Sequence, residues 1–285
     1  MLLAHLTDLH IRPLGTPAYR VVDTYMLTER ALRAVAALRP APDAVIISGD
    51  LTDCGLEAEY DLLAAMLKRH LSMPVYVIPG NHDRRAPLKD RLSHLPRIAE
   101  TGDFIQYVVD DLPVRLVMLD TVVPGYGHGA LCADRLAFLD ETLSAEPEKP
   151  TAIVMHHPPL VCGIQHMDEI NLRDADAFAE VVKRHAQVER ILCGHHHRPI
   201  VSRFAGTVLQ VVPSIAHQVE FDLASAAPPA FVMEPPVFQV HQWTPRGGLV
   251  SHGVYVETYP GPYPFVLDAD YPGGEGEADA AQAAE

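Results

Sequence analysis

Seven residues in five short blocks carry side chains that bind divalent metal ions: Asp8 and His10, Asp50, Asn81, His156, and His195 with His197. Carboxylate oxygen, amide oxygen and imidazole nitrogen make a hard-to-borderline donor set. It suits manganese, iron, zinc or cobalt better than copper(I), which prefers sulfur. One residue separates Asp8 from His10, so both can point at the same ion. Asp50 has the two oxygens that a bridge between two ions needs. Asn81 adds a neutral oxygen, which lowers the ligand charge and leaves the ions more electrophilic. His195 and His197 lie two apart, so an extended backbone aims both the same way and turns His196 aside. Together these residues have the makings of a two-metal hydrolase.

Each block falls where an apolar run ends. Leu2–Leu6 precedes Asp8, Ala44–Ile47 precedes Asp50, 75–78 precedes Asn81, 152–155 precedes His156 and 191–192 precedes His195. In an α/β sheet, residues just beyond the carboxyl ends of neighbouring strands converge on one rim, where ligands bind. Between these runs, apolar spacing predicts helices over 24–38, Glu57–His70, 134–144 and 174–186. Further strands are expected over 104–109, 114–120, Thr151–Met155, Ile200–Phe204 and 207–212. Strands alternate with helices and then follow one another alone. The fold class is therefore α/β, with a mixed sheet or two packed sheets flanked by helices.

The Pro- and Ala-rich stretch 215–249 differs in texture and is expected to form a small β-rich cap or lobe. The division expected is a core over 1–214, the cap over 215–249, a return to the core over 250–272, and a disordered Gly/Ala/Glu-rich tail over 273–285.

A chain of 285 residues, 48% hydrophobic, is long enough for a substantial core. A net charge of −15 argues against a grip on nucleic-acid backbones and against anionic membranes as partners. The four cysteines form no C-x-x-C pair and make neither a disulfide framework nor a structural zinc signature. The first apolar run is only a strand long, and no stretch approaches the ~20 residues of a membrane span. A cytoplasmic setting is expected.

The order D-x-H, G-D, G-N-H-D, H and G-H-x-H resembles the calcineurin-like metallophosphoesterase superfamily over roughly the first 200 residues. The longer phrases at 49–52, 80–85, 156–159, 166–168 and 213–218 are similar to those of bacterial class III cyclic-nucleotide phosphodiesterases and related glycerophosphodiesterases. The resemblance implies a four-layer α/β-β/α sandwich and two divalent ions. One ion would be held by Asp8, His10, Asp50 and His197, the other by Asp50, Asn81, His156 and His195, with Asp50 bridging. A hydroxide between the ions would attack a small phosphodiester in line. His82 would donate a proton or hydrogen-bond the transition state, and the C-terminal lobe would cap the site and join subunits.

Several residues keep two readings at this stage. His217 could contact substrate or lie at a lobe surface. Arg85 could clamp a phosphate or form a structural ion pair. His157 beside His156 either supports a ligand from behind or packs, and Asp83 either holds an imidazole or caps the segment after it. A phosphomonoesterase or protein phosphatase on the same metal core is the enzymatic alternative, and a non-catalytic scaffold the other.

Overall fold

Residues 1–263 are described by a computed structural model. In chain order the elements begin with β1 (Leu2–Leu6), α1 (Thr24–Ala37), β2 (Ala44–Ile47), α2 (Glu57–His70), β3 (Val75–Val77) and α3 (Arg85–Arg91). Next come β4 (Tyr107–Val109), β5 (Arg115–Leu119), α4 (Ala133–Ala145), β6 (Thr151–Met155), α5 (Gln165–Asp168) and α6 (Ala175–Val182). The remaining strands are β7 (Val188–Cys193), β8 (Ile200–Phe204), β9 (Thr207–Val211), β10 (Gln218–Val219), β11 (Phe231–Val232), β12 (Val237–Thr244) and β13 (Gly248–Tyr255).

The strands build two mixed sheets, ordered β13-β12-β1-β2-β3 and β4-β5-β6-β7-β9-β8. Period-2 alternation in the second sheet decides the layers. Leu116, Met118, Ala152, Val154 and Leu192 pack into the cluster that holds the first sheet with α1 and α2. Their neighbours Val117, Leu119, Ile153, Met155 and Ile191 pack with α4 and α6. Strands β5, β6 and β7 thus feed two apolar layers, and the chain is a four-layer α/β-β/α sandwich.

The parallel strands β1, β2 and β3 run in one sheet, and β5, β6, β7 and β9 in the other. Five of the seven, β1, β2, β3, β6 and β7, end at the candidate metal-ligand blocks. The helix at Glu57–His70 and the strands at Thr151–Met155 and Ile200–Phe204 match their expected bounds. The helix expected over 174–186 ends at Val182. α3 tolerates Pro87 because it sits in the first turn, where a missing N–H costs little.

The cap is smaller than the sequence suggested. β12 pairs antiparallel with β1, so 237–244 is core sheet and not lobe, and β13 completes a hairpin at the sheet edge. Within that sheet Phe238 and Val240 of β12 are buried in the large apolar cluster, which local composition does not reveal. What remains outside the sheets is 215–236, with the two-stranded piece β10–β11. The rest of the expected return to the core, 264–272, and the tail at 273–285 lie outside the described residues. The four cysteines are free thiols, Cys54 and Cys132 of them exposed. Among the described residues no helix is long and apolar enough to cross a membrane.

Candidate metal centre

The blocks leave their strands through backbone turns that few residues tolerate. Asp8, His10, Asp50, His195 and His197 all have positive φ, between 46° and 72°. Asp and His are among the side chains that enter this region most readily, at roughly 1–3 kcal/mol each. The two histidines of the last block are therefore not aimed by an extended strand, as their spacing implied, but by two left-handed residues around His196. The two sheets also approach closely at this rim. A Cβ at Gly194 would lie 2.1 Å from Thr7 Oγ1, and one at Gly49 would lie 2.4 Å from the His156 ring, so only glycine fits at either position.

The first group is Asp8, His10, Asp50 and His197, whose donor atoms lie within 4.8 Å of one another, all four buried. His10 Nδ1 faces Asp53 Oδ1 at 3.3 Å, and His197 Nδ1 donates to the His217 carbonyl at 2.8 Å. These partners assign the proton to Nδ1 in both rings and leave both Nε2 atoms as lone pairs. The two Nε2 atoms are 3.1 Å apart. Asp8 Oδ1 is 3.3 Å from His197 Nε2, and Asp50 Oδ2 is 3.6 Å from His10 Nε2. Burial pushes the Asp8 carboxyl up, but His197 and His156 together outweigh it and hold the group at about 2. Asp50 is likewise pushed up by burial and pulled well below the carboxylate range by His156, His82 and His10. Four lone-pair donors, two of them anionic, converge with no hydrogen between the imidazoles. That is the environment of a bound cation.

The second group adjoins it through Asp50. His156 Nδ1 donates to the Ser48 carbonyl at 2.8 Å, which leaves Nε2 facing Asn81 Oδ1 at 3.2 Å and Asp50 Oδ2 at 3.3 Å. His195 donates from Nε2 to the Ile170 carbonyl at 3.0 Å, so its lone pair is on Nδ1. His157 lies near both rings. Its Nε2 donates to the Gly127 carbonyl at 3.2 Å and its Nδ1 pairs with Thr121 Oγ1 at 2.7 Å, so neither nitrogen is free for an ion. His196 turns the other way and meets Asn171 Oδ1 at 2.5 Å.

Around these donors, Asp53 has a role its sequence position did not announce: its carboxylate holds His10 and its carbonyl accepts from His82 Nδ1 at 2.7 Å. The signal was only that it lies three residues beyond Asp50. Asp83 neither holds an imidazole nor caps a helix. It accepts from the backbone N–H groups of Leu51, Thr52 and Gly80 and from the Tyr60 hydroxyl, pinning the Asp50 and Asn81 loops together. Burial and Asp50 raise its pKa to about 6 against those donors. Arg85 forms a two-pronged ion pair with the buried Asp120, at 2.6 and 2.8 Å, and also donates to the Val122 carbonyl. The ion-pair reading of Arg85 is the one the geometry favours.

A family model described as calcineurin-like phosphoesterase matches residues 1–199, a span that contains all seven donors. The chain belongs to the calcineurin-like phosphoesterase family. As a member it is a phosphoester hydrolase. It is 36% identical to a probable glycerophosphodiester phosphodiesterase of Arcobacter nitrofigilis, over 93% of this chain and 97% of that one. It is also 36% identical to a probable cyclic nucleotide phosphodiesterase of Rhodopseudomonas palustris, over 81% of this chain and 84% of that one. A dimetal phosphatase from Danio rerio shares the fold, with a TM-score of 0.65 at 15% identity over 90% of this chain and 99% of that one.

In this member of the family the donors open into a cavity of about 390 Å³ beneath the cap. His82 and His217 line it with Tyr19, Met167 and Phe231, and Arg85 lies outside this lining. His82 is held by its ring bond to Asp53 and by its backbone N–H, which donates to Asp50 Oδ1 at 2.8 Å. Burial lowers its pKa, but Asp50 and the Asp53 carbonyl outweigh this and raise it. Burial, reinforced by His197 and His10, pushes His217 down to about 2, so its ring is neutral.

Proposed function

We propose that the chain hydrolyses small phosphodiesters, such as 3′,5′-cyclic nucleotides or glycerophosphodiesters, at a dinuclear centre. Asp8, His10, Asp50 and His197 would hold one divalent ion, and Asp50, Asn81, His156 and His195 the other. The position of Asp50 carries this reading: one carboxylate oxygen lies 3.6 Å from His10 Nε2 and 3.3 Å from His156 Nε2, between the two donor groups. When bound, two cations lower the pKa of a water, align phosphorus for in-line attack and neutralise the departing oxygen.

The protein's own groups supply the rest. His82 lines the cavity with Nδ1 fixed on the Asp53 carbonyl, which leaves Nε2 for the substrate. From Nε2 it can give a proton to the leaving alkoxide or hydrogen-bond a phosphate oxygen. The neutral His217 ring faces the first donor group, 4.6 Å from His197 between centroids, and orders it through its own carbonyl. The apolar cap wall limits the size of what enters and excludes water. The names of the two bacterial relatives support a diester as substrate. A monoesterase would need extra cationic charge for a dianion, and the two nearby guanidiniums are already engaged, Arg85 by Asp120 and Arg84 by the Asn81, His82 and Asp83 carbonyls. The cap also exposes Phe221, Leu223 and Met233, which supports self-association through it.

Steady-state rates on bis(p-nitrophenyl) phosphate and p-nitrophenyl phosphate test the proposal. The diester is expected to give the larger kcat/KM, and a clear preference for the monoester would defeat it.

A further inference from the structure

The donors open into two clefts, which share Asn81 and His82 as a common wall. Besides the donors and the histidines His82, His166 and His217, the cap-side cleft is lined by Tyr19, Met167, Ile170, Val219 and Phe231. The Tyr19 and Phe231 rings lie 5.3 Å apart between centroids, and each is 5.2 Å from His217. Such a wall offers ring faces and apolar edges to a flat or apolar group.

The other cleft, of about 220 Å³, is bounded by Asp53, Arg84 and the turn Gly125-Tyr126-Gly127. Its polar lining is the Asp53 carboxylate, the Arg84 guanidinium and the Tyr126 hydroxyl, and it has no aliphatic side chain. The carboxylate also faces His10, and Arg84 Nη1 donates to the Asn81, His82 and Asp83 carbonyls. The turn is anchored to the metal centre: His157, next to the ligand His156, donates to the Gly127 carbonyl at 3.2 Å and pairs with Thr121 at 2.7 Å. Gly129 lies so close to the His157 ring that a Cβ there would be 2.5 Å away. The second cleft is therefore a held surface and not a gap left by a loose loop.

A 3′,5′-cyclic nucleotide, whose two ester oxygens share one ribose, has no pair of diverging arms. An acyclic phosphodiester such as a glycerophosphodiester carries two ester arms that diverge from phosphorus, and in-line displacement separates the departing arm from the retained one. We infer that the two clefts divide these arms. A planar or apolar arm lies against Tyr19 and Phe231, and a hydroxyl-bearing arm lies against Asp53, Arg84 and Tyr126. Selectivity then favours unsymmetrical diesters with one arm of each kind. The inference rests on the phosphodiesterase reading above and assigns the substrate halves within it.

Two probes, each with one arm, test it by equilibrium binding. Phenylphosphonate carries an apolar ring, and glycerol 3-phosphate a polyol. Dissociation constants are measured by calorimetry on the metal-loaded protein and on Phe231→Ala and Tyr126→Ala. Phe231→Ala should weaken phenylphosphonate about fivefold, the scale of one aromatic contact, and leave glycerol 3-phosphate within about twofold. Tyr126→Ala should do the reverse. Equal losses for both probes, no loss for either, or the opposite pairing overturns the assignment. Hydrolysis of bis(p-nitrophenyl) phosphate by the unaltered protein is the control. Its absence defeats the diesterase reading itself, whereas turnover without the crossed binding pattern defeats only the division of arms.

Discussion

The Nε2 atoms of His10 and His197 face each other at 3.1 Å, and the partners of their Nδ1 atoms leave a lone pair on each. Two lone pairs at that distance repel unless a proton or a cation lies between them. Two ionised carboxylates border the pair, so a divalent cation is the better solution. Exhaustive chelation should therefore abolish hydrolysis and lower the thermal midpoint, and manganese or cobalt should restore both. At a hundredfold excess over its Kd, one bound ion contributes about 2.7 kcal/mol of stability. Unchanged activity and midpoint after verified metal removal would rule this out.

Asp50 and His82 lie side by side yet should fail differently. Asp50→Ala removes the carboxylate between the two donor groups, so elemental analysis should show metal loss together with loss of turnover. His82→Ala removes only the group at the cavity wall. It should reduce kcat by about 10²- to 10⁴-fold, the range of one general acid, with metal content kept. Equal metal loss in both variants would refute the division of roles.

His5 and His241 form a buried pair across β1 and β12, 3.1 Å apart, with their outer nitrogens on Ser48 and Ser251 at 2.8 Å each. Burial pushes His5 down to about 3 against the pull of Asp8. Burial, His5 and Arg190 hold His241 well below the usual histidine value. In the unfolded chain both titrate near 6.5. The unfolded state therefore binds more protons below that pH, and stability that is complete above about 6.5 drains away as pH falls towards the folded values. The loss approaches about 1.4 kcal/mol per pH unit for each histidine. Urea unfolding of metal-free protein between pH 7 and 5 should show a steeper fall than the same series on His241→Gln. Parallel slopes would contradict it.

The sequence by itself determined the donor types, their order, and the strand-end position of every block. Each block follows a run of apolar residues of strand length, and backbone hydrogen bonding makes such runs strands wherever two faces can be buried. Helical spacing over Glu57–His70 was equally local and equally readable. Only the tertiary structure decided which polar residues serve the donors. Asp53, not Asp83, holds an imidazole, because three hydrogen-bonded backbone amides and a tyrosine already claim Asp83. Arg85 is committed to Asp120, 35 residues away, and His157 to a turn 30 residues away. β12 enters the core sheet beside β1 more than 230 residues upstream, a pairing that local composition cannot encode. Left-handed backbone at five donors belongs to the same class: two sheets closing on one rim, with glycine where a side chain would collide, impose it from outside the segment. Local pattern chooses elements and donor chemistry. Which groups face which, and hence how the site can treat the two sides of a substrate, follows from packing.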